Sequence, residues 1–331
     1  MTRITRSGGW SSNPDWYHQG RTETDLEIPT VSALRVIADD IKIAHSIFAL
    51  PFAVLAAAMA AFAAGDGRID WTDFAGRLVL VVIAMVFART AAMLANRILD
   101  RRIDAENPRT VGRAIPSGRL STRSAVIAFV VSSLVFVLIA ALFGVFYGNW
   151  WPVILALPVL GWITAYGLFK RFTWLCHLWL GASLALSPVA SAIAVDPAFL
   201  ASPPIWLLAG MVLCWVSGFD VIYALQDVEV DRRDGLNSIP AHFGVDGALR
   251  IARLLHFFAA ILLFAVYRTE AAFSGVFLAA AIVVAILLVL EHATVRRWGT
   301  TRMAITFMTI NGVVSIVVGI AGIAELTVLA P

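Results

Sequence analysis

The chain has 331 residues, of which 60% are hydrophobic and 14% charged, with a mean hydropathy of +0.84. A soluble domain carries about 25% charged residues, so this composition excludes an ordinary water-soluble globule and makes the lipid bilayer the expected partner. The net charge of +3 is too small to imply nucleic acid, no protein partner is predicted, and the two cysteines, Cys176 and Cys214, lie in apolar runs without metal or disulfide spacing.

Residues 1–40 are polar, with Trp10, Trp16, Tyr17 and mixed charges, and end in a short Leu/Val/Ile pattern at 31–38. They read as a tail leading into an interfacial helix, with no apolar core of a secretory signal. From Ile43, apolar stretches long enough to cross about 30 Å of hydrocarbon recur at 43–64, 76–99, 123–147, 149–169, 172–195, 205–226, 248–268, 271–291 and 303–327. The expected architecture is therefore an all-α membrane protein, with nine transmembrane helices in a single bundle over 41–331. Twenty-one of the 25 Lys and Arg residues fall in the tail and the even-numbered connections. The positive-inside rule then makes the N-terminus cytoplasmic and leaves the C-terminus outside.

Two stretches carry the polar chemistry. In Arg89–Asp104, RTAAMLANRILDRRID, a helix advances about 100° per residue, so Asn96, Asp100 and Asp104 share one face with Arg89. In Asp220–Asp231, DVIYALQDVEVD, helical spacing puts Asp220, Tyr223, Asp227 and Asp231 close to a single line. Carboxylates beside hydrocarbon are expensive, about 2.5–3.5 kcal/mol each on insertion scales, so two such ridges at the ends of apolar helices predict one divided site. Hard cations such as Mg²⁺ take oxygen ligands of this kind together with substrate phosphates. The connection NPRTVGRAIPSGRLS adds Arg109, Arg113 and Arg119 among Pro and Gly, and guanidinium favours phosphate oxygens. His45, His177 and His256 lie in predicted spans without metal-ligand companions: His256 reads as structural, His45 and His177 as packing or cavity-lining residues. Asp196 and Glu325 read as solvated groups on the outer side.

NRILDRRID resembles the first signature, NDxxDxxxD, of the UbiA superfamily of intramembrane prenyltransferases, and DVIYALQDVEVD resembles the second, DxxYxxxDxxxD. Arg89 stands seven residues before Asn96, as in the hydroxybenzoate branch. The loop RTVGRAIPSG is similar to the family's basic connection, and Tyr166 with Lys170 and Arg171 to its YxxxKR. The stretches IKIAHSIFALPFA at 41–53, KRFTWLCHLWLG at 170–181 and LNSIPAHFG at 236–244 look most like the bacterial hydroxybenzoate polyprenyltransferases and the naphthoate prenyltransferases of the futalosine route. Two departures stand out: Arg97 replaces the usual aspartate after Asn96, and Asn237 stands where relatives often carry a basic residue.

The resemblance implies transfer of a polyprenyl group from its diphosphate to an aromatic acid of the 4-hydroxybenzoate type in quinone biosynthesis. 1,4-Dihydroxy-6-naphthoate, on the way to menaquinone, is the alternative acceptor. It implies two Mg²⁺ ions, one on Asn96, Asp100 and Asp104 and one on Asp227 and Asp231. Lys170, Arg109, Arg113 and Arg233 would hold phosphate oxygens, Arg89 the acceptor, and Tyr223 the diphosphate or the developing cation, with Asp220 among the substrate-binding residues. The implied location is a bacterial cytoplasmic (inner) membrane, with the active site facing the cytoplasm. The rival from another class is a cation- or proton-coupled transporter, whose sites commonly lie near the midplane on broken helices.

Overall fold

A computed structural model describes residues 31–40 and 48–329, and every regular element among them is helical. They are α1 (Val31–Asp40), α2 (Leu50–Ala64), α3 (Trp71–Glu106), α4 (Thr122–Tyr147), α5 (Trp151–Phe169), α6 (Cys176–Val195), α7 (Pro203–Tyr223), α8 (Val228–Arg233), α9 (Ile239–Thr269), α10 (Gly275–Trp298) and α11 (Asn311–Ala324). A 3₁₀ turn, Ala224–Asp227, joins α7 to α8, and a π-helical turn, Ala304–Ile310, leads into α11. Eight helices among the described residues are long and apolar enough to cross a membrane, and the 15-residue α2 is a shorter apolar one. The predicted first span and His45 fall partly or wholly on residues 41–47, and the tail on residues 1–30, outside the described residues.

Local chemistry sets the boundaries. The Asp70 carboxylate caps α3 by accepting from the amides of Thr72 and Asp73, Ser121 caps α4 through Ser124, and Ser238 caps α9 through Ala241. Proline in the first turn starts α2, α5, α7 and α9, where its missing N–H is not needed. Helix α3 runs seven residues beyond the predicted end of its span, to Glu106, so the whole first ridge rides on one helix.

Helix α7 is the buried centre, packed between α6 and α9. Its Trp215 is fully enclosed and faces Phe48, Phe52 and Phe219, and the ring series continues through Phe307 to Tyr223 at the charged end. The approach of α6 is so close that a Cβ on Gly181 would overlap Ser217 Oγ and come 2.5 Å from the Leu213 carbonyl, while one on Gly218 would overlap the His256 ring of α9. Outward, Leu134, Leu138 and Val145 of α4, Leu157 of α5, Val289 of α10 and Ile320 of α11 are exposed, as a lipid-facing surface requires.

A chain of polar groups crosses this core, with one Glu291 oxygen left without a hydrogen bond among the described residues. Trp215 Nε1 donates to Asn311 Oδ1 (2.6 Å), Asn311 Nδ2 donates to Glu291 Oε1 (2.9 Å), and His256 lies hydrogen-bonded between the Trp215 carbonyl and His292. This network ties α7, α9, α10 and α11 together and gives His256 the structural role expected of it. Glu325 departs from expectation: it is fully buried rather than solvated, because its carboxylate accepts from the amides of Ser274, Val276 and Phe277 and from the Ser274 hydroxyl, capping the start of α10. Asp196 caps the turn after α6 through the Ala198 amide. Both cysteines are free thiols.

Candidate active site

On α3, Asn96, Asp100 and Asp104 occupy successive turns, and both carboxylates are buried (1% and 4% exposed) at the charged end of the bundle. Burial of this kind is tolerated only with partners. Asp100 Oδ2 accepts from Lys170 Nζ (2.5 Å) and Asn96 Nδ2 (3.1 Å), while its Oδ1 faces Arg171 (3.4 Å). Asp104 accepts through both oxygens from Arg113 Nη1 (2.7 and 2.8 Å). Arg89 lies two turns deeper on α3, partly buried.

The second ridge departs from the single helical line expected. Helix α7 ends at Tyr223, the 3₁₀ turn carries the chain to Asp227, and α8 restarts with Asp231. The tighter turn swings Asp227 toward the arginine loop, where Arg109 grips it with two nitrogens (2.8 and 2.6 Å) and Asn107 Nδ2 adds a third donor (3.2 Å). Burial alone would lower the Arg109 guanidinium; the hydrogen bonds and charge of Asp227 outweigh it and push the group above its ordinary value. Arg109 also donates to the Tyr223 hydroxyl (3.2 Å). Asp231, on α8, lies near Ser238 at the start of α9 and within electrostatic reach of Asp227 and Lys170.

Asp220 sits on the last full turns of α7, where its Oδ2 is 2.7 Å from His177 Nδ1. His177 Nε2 accepts from the Ile239 amide (3.2 Å), which leaves the ring proton on Nδ1, pointing at Asp220. The Asn237 amide donates to the Lys170 carbonyl (2.7 Å), so the residue that departs from the family's basic position ties the 234–238 turn to the lysine. Arg233 lies apart from the carboxylates, exposed and paired with Asp234. Arg119 turns back on its own loop, to Ser117 and the Gly112 carbonyl.

Four participants escaped the sequence reading: Asn107, Arg171 as an Asp100 partner, His177 as the holder of Asp220, and Asp40. Asn107 had a local signal, since Asn-Pro just after a helix end favours an Asx-type turn, and its Oδ1 does accept from the Arg109 amide (2.9 Å). The others act across the fold.

The side chains converging here are carboxylate and amide oxygens, donors suited to a hard divalent cation, with guanidinium and ammonium groups suited to phosphate. The fit lies in donor chemistry and placement: among the described residues no group of three His, Cys, Asp or Glu is gathered tightly enough to hold an ion. Asp100, Asp104 and Asp227 each hold a base instead, and these pairs would have to part for a cation to enter.

Fold and site define an integral membrane helical bundle with an oxygen-rich, divided site at one end. The profile of the UbiA prenyltransferase family matches residues 52–313, and the chain belongs to that family. Over 185 residues it is 34% identical to the 4-hydroxybenzoate octaprenyltransferase of Serratia proteamaculans, covering 54% of this chain and 61% of that protein. The Saccharophagus degradans protein of the same name is 33% identical over 55% of this chain and 57% of its own length. The chain thus spans about three fifths of the length of these relatives. Among solved structures it resembles the apo form of a UbiA homolog from Aeropyrum pernix K1, with a TM-score of 0.73 and 29% identity over 84% of this chain and 96% of that one. A UbiA homolog from Archaeoglobus fulgidus, solved bound to GPP and Mg²⁺, shares the fold at 15% identity, with a TM-score of 0.67 over 88% of this chain and 99% of that one.

Proposed function

We propose that the protein is a Mg²⁺-dependent prenyltransferase that moves a polyprenyl group from its diphosphate to an aromatic acid of the 4-hydroxybenzoate type. The observation that carries this reading is the pairing of carboxylates from two helix ends, buried on α3 and half-buried at Asp227, with basic groups from the intervening loops. Such pairs are ready to exchange partners when a metal diphosphate arrives. The names of the relatives and the ligands of the Archaeoglobus fulgidus structure support the same chemistry.

In this reading Asn96, Asp100 and Asp104 serve one ion and Asp227 and Asp231 a second. Bound there, Mg²⁺ neutralises the charge that grows on the leaving diphosphate. Arg109, Arg113 and Lys170, released from their carboxylates, take phosphate oxygens, and Arg233 at the rim reaches the same group. His177 holds the Asp220 carboxylate facing the diphosphate end, and Tyr223 orients the diphosphate beneath Arg109. As the allylic C–O bond breaks, the diphosphate takes the electron pair and the ring carbon of the acceptor attacks the allylic carbon. The ring proton then leaves to solvent or diphosphate. Rings from Tyr223 through Phe307 and Phe219 to Trp215 keep water from the apolar chain. Arg89 would face the acceptor's carboxylate. Nine spans with a cytoplasmic N-terminus would put this site on the cytoplasmic face of a bacterial inner membrane, with residues 41–331 forming one bundle behind a polar tail.

The test is product formation by the purified full chain in detergent with Mg²⁺ and a polyprenyl diphosphate, offering 4-hydroxybenzoate and 1,4-dihydroxy-6-naphthoate in parallel. Prenylated 4-hydroxybenzoate, abolished by chelator, is the expected result. Product only from the naphthoate moves the acceptor to the menaquinone precursor. Intact diphosphate together with ion-driven uptake in proteoliposomes refutes the enzyme reading.

A further inference from the structure

Residue 97 is where this chain breaks the signature, and the structure shows what the arginine there does. Arg97 is only 6% exposed; its Nε donates to Asp40 Oδ2 (3.0 Å), Nη2 to the Asp40 carbonyl (3.4 Å) and Nη1 to Asn96 Oδ1 (3.4 Å). The amide of Asn96 is thereby oriented, its oxygen toward Arg97 and its nitrogen toward Asp100. Arg97 also lies within electrostatic reach of Asp104 and Arg113. A cation fixed inside a site meant to bind cations is a liability unless a carboxylate outside the site holds it.

Asp40, the last residue of α1, is that carboxylate. Its other oxygen accepts from the Ala114 amide (2.7 Å), and Ala114 follows Arg113, the base on Asp104. Apolar contacts fix the arrangement: Ile37 of α1 is buried with Leu94 of α3, Ala114 and Leu120 of the arginine loop, and Ala125 of α4. One side chain therefore joins α1, the first acidic ridge and the basic loop.

We propose that Asp40 is a positioning residue of the site, which holds Arg97 away from Asp100 and Asp104 and seats Arg113 through the Ala114 amide, so that the first ridge stays available to a divalent cation. The proposal rests on the metal-dependent reading above. Without the Asp40 carboxylate, Arg97 keeps its charge and loses its ion-pair partner, and the ridge carboxylate within its electrostatic reach is Asp104. The guanidinium then competes with the metal.

The experiment measures Mn²⁺ binding by electron paramagnetic resonance on the full chain in detergent, with methylene diphosphonate present, alongside thermal unfolding and the Mg²⁺ dependence of turnover. Asp40→Asn is expected to weaken Mn²⁺ binding and raise the half-saturating Mg²⁺ concentration by about tenfold, the scale of one displaced ion pair in a partly dry site. The rate at saturating Mg²⁺ changes less. Asp40→Asn combined with Arg97→Gln removes the stray charge and brings Mn²⁺ affinity back. Wild-type Mn²⁺ affinity in Asp40→Asn overturns the proposal. So does a loss of affinity and melting temperature that the double variant leaves unrepaired, since Asp40 would then be a packing residue only. If the wild-type chain itself binds no Mn²⁺ with the diphosphonate, the metal-dependent reading falls and takes the proposal with it.

Discussion

Along α3 the residues Asn96, Asp100 and Asp104 sit on successive turns of an unbroken helix, whereas Asp220, Asp227 and Asp231 are divided among α7, a 3₁₀ turn and α8. The first ridge is spaced by the helix itself and saturated: Asp100 holds Lys170 and Arg171, and Asp104 holds Arg113. The second is spaced by tertiary contacts. Asn107 and Arg109 set Asp227, His177 sets Asp220, and Asp231 lies near Ser238 with no ion pair of its own among the described residues. Two similar sequence patterns thus give one rigid, neutralised wall and one assembled wall that keeps a carboxylate without a base.

Removing a carboxylate from each wall breaks this contrast most sharply. Asp100→Ala and Asp227→Ala should each lower turnover by about 10²–10³-fold, the cost of losing one preorganised charge contact to a transition state. Stability separates them. Asp100→Ala removes a fully buried carboxylate and leaves the partly buried Lys170 and Arg171 without it, which should cost about 1–3 kcal/mol in denaturant unfolding, while Asp227→Ala, whose Arg109 partner is a third exposed, should cost about 1 kcal/mol or less.

His177→Ala probes how the second wall is assembled. Losing the buried donor to Asp220 and the acceptor of the Ile239 amide should cost about 1–3 kcal/mol of stability and lower turnover, read by unfolding and product formation. Arg109→Gln should raise KM for the prenyl diphosphate about tenfold, equivalent to one charge-assisted contact, with a smaller change in kcat. The smallest effect belongs to Arg119→Ala. Among the described residues this exposed side chain bonds only within its own loop, so KM and melting should match wild type to within about 0.5 kcal/mol.

The sequence revealed most where periodicity and geometry coincide. Asn96, Asp100 and Asp104 could be placed on one face because α3 is regular, and the apolar runs marked the spans because their length and composition carry the signal. Periodicity misled at Asp227, where a tighter turn interrupts the line, and the expected outer-side position misled at Glu325, whose capping partners Ser274, Val276 and Phe277 lie some fifty residues away. Arg97 stands out in the sequence only as a departure from the signature; its partner Asp40 is 57 residues earlier, on a helix that only packing brings to the site. Long-range hydrogen bonds of this kind leave no local pattern to read.

The tight seams at Gly181 and Gly218 have a mechanical consequence. With no room for even one methyl group between α6, α7 and α9, those helices act as a fixed jaw, and the jaw carries Asp220 and the root of the Asp227 turn. On the other side of the site α3 presents Asn96, Asp100 and Asp104, and α4 and α5 turn exposed apolar faces outward. Added bulk at either glycine would therefore wedge the seam apart and displace Asp220 relative to the first ridge.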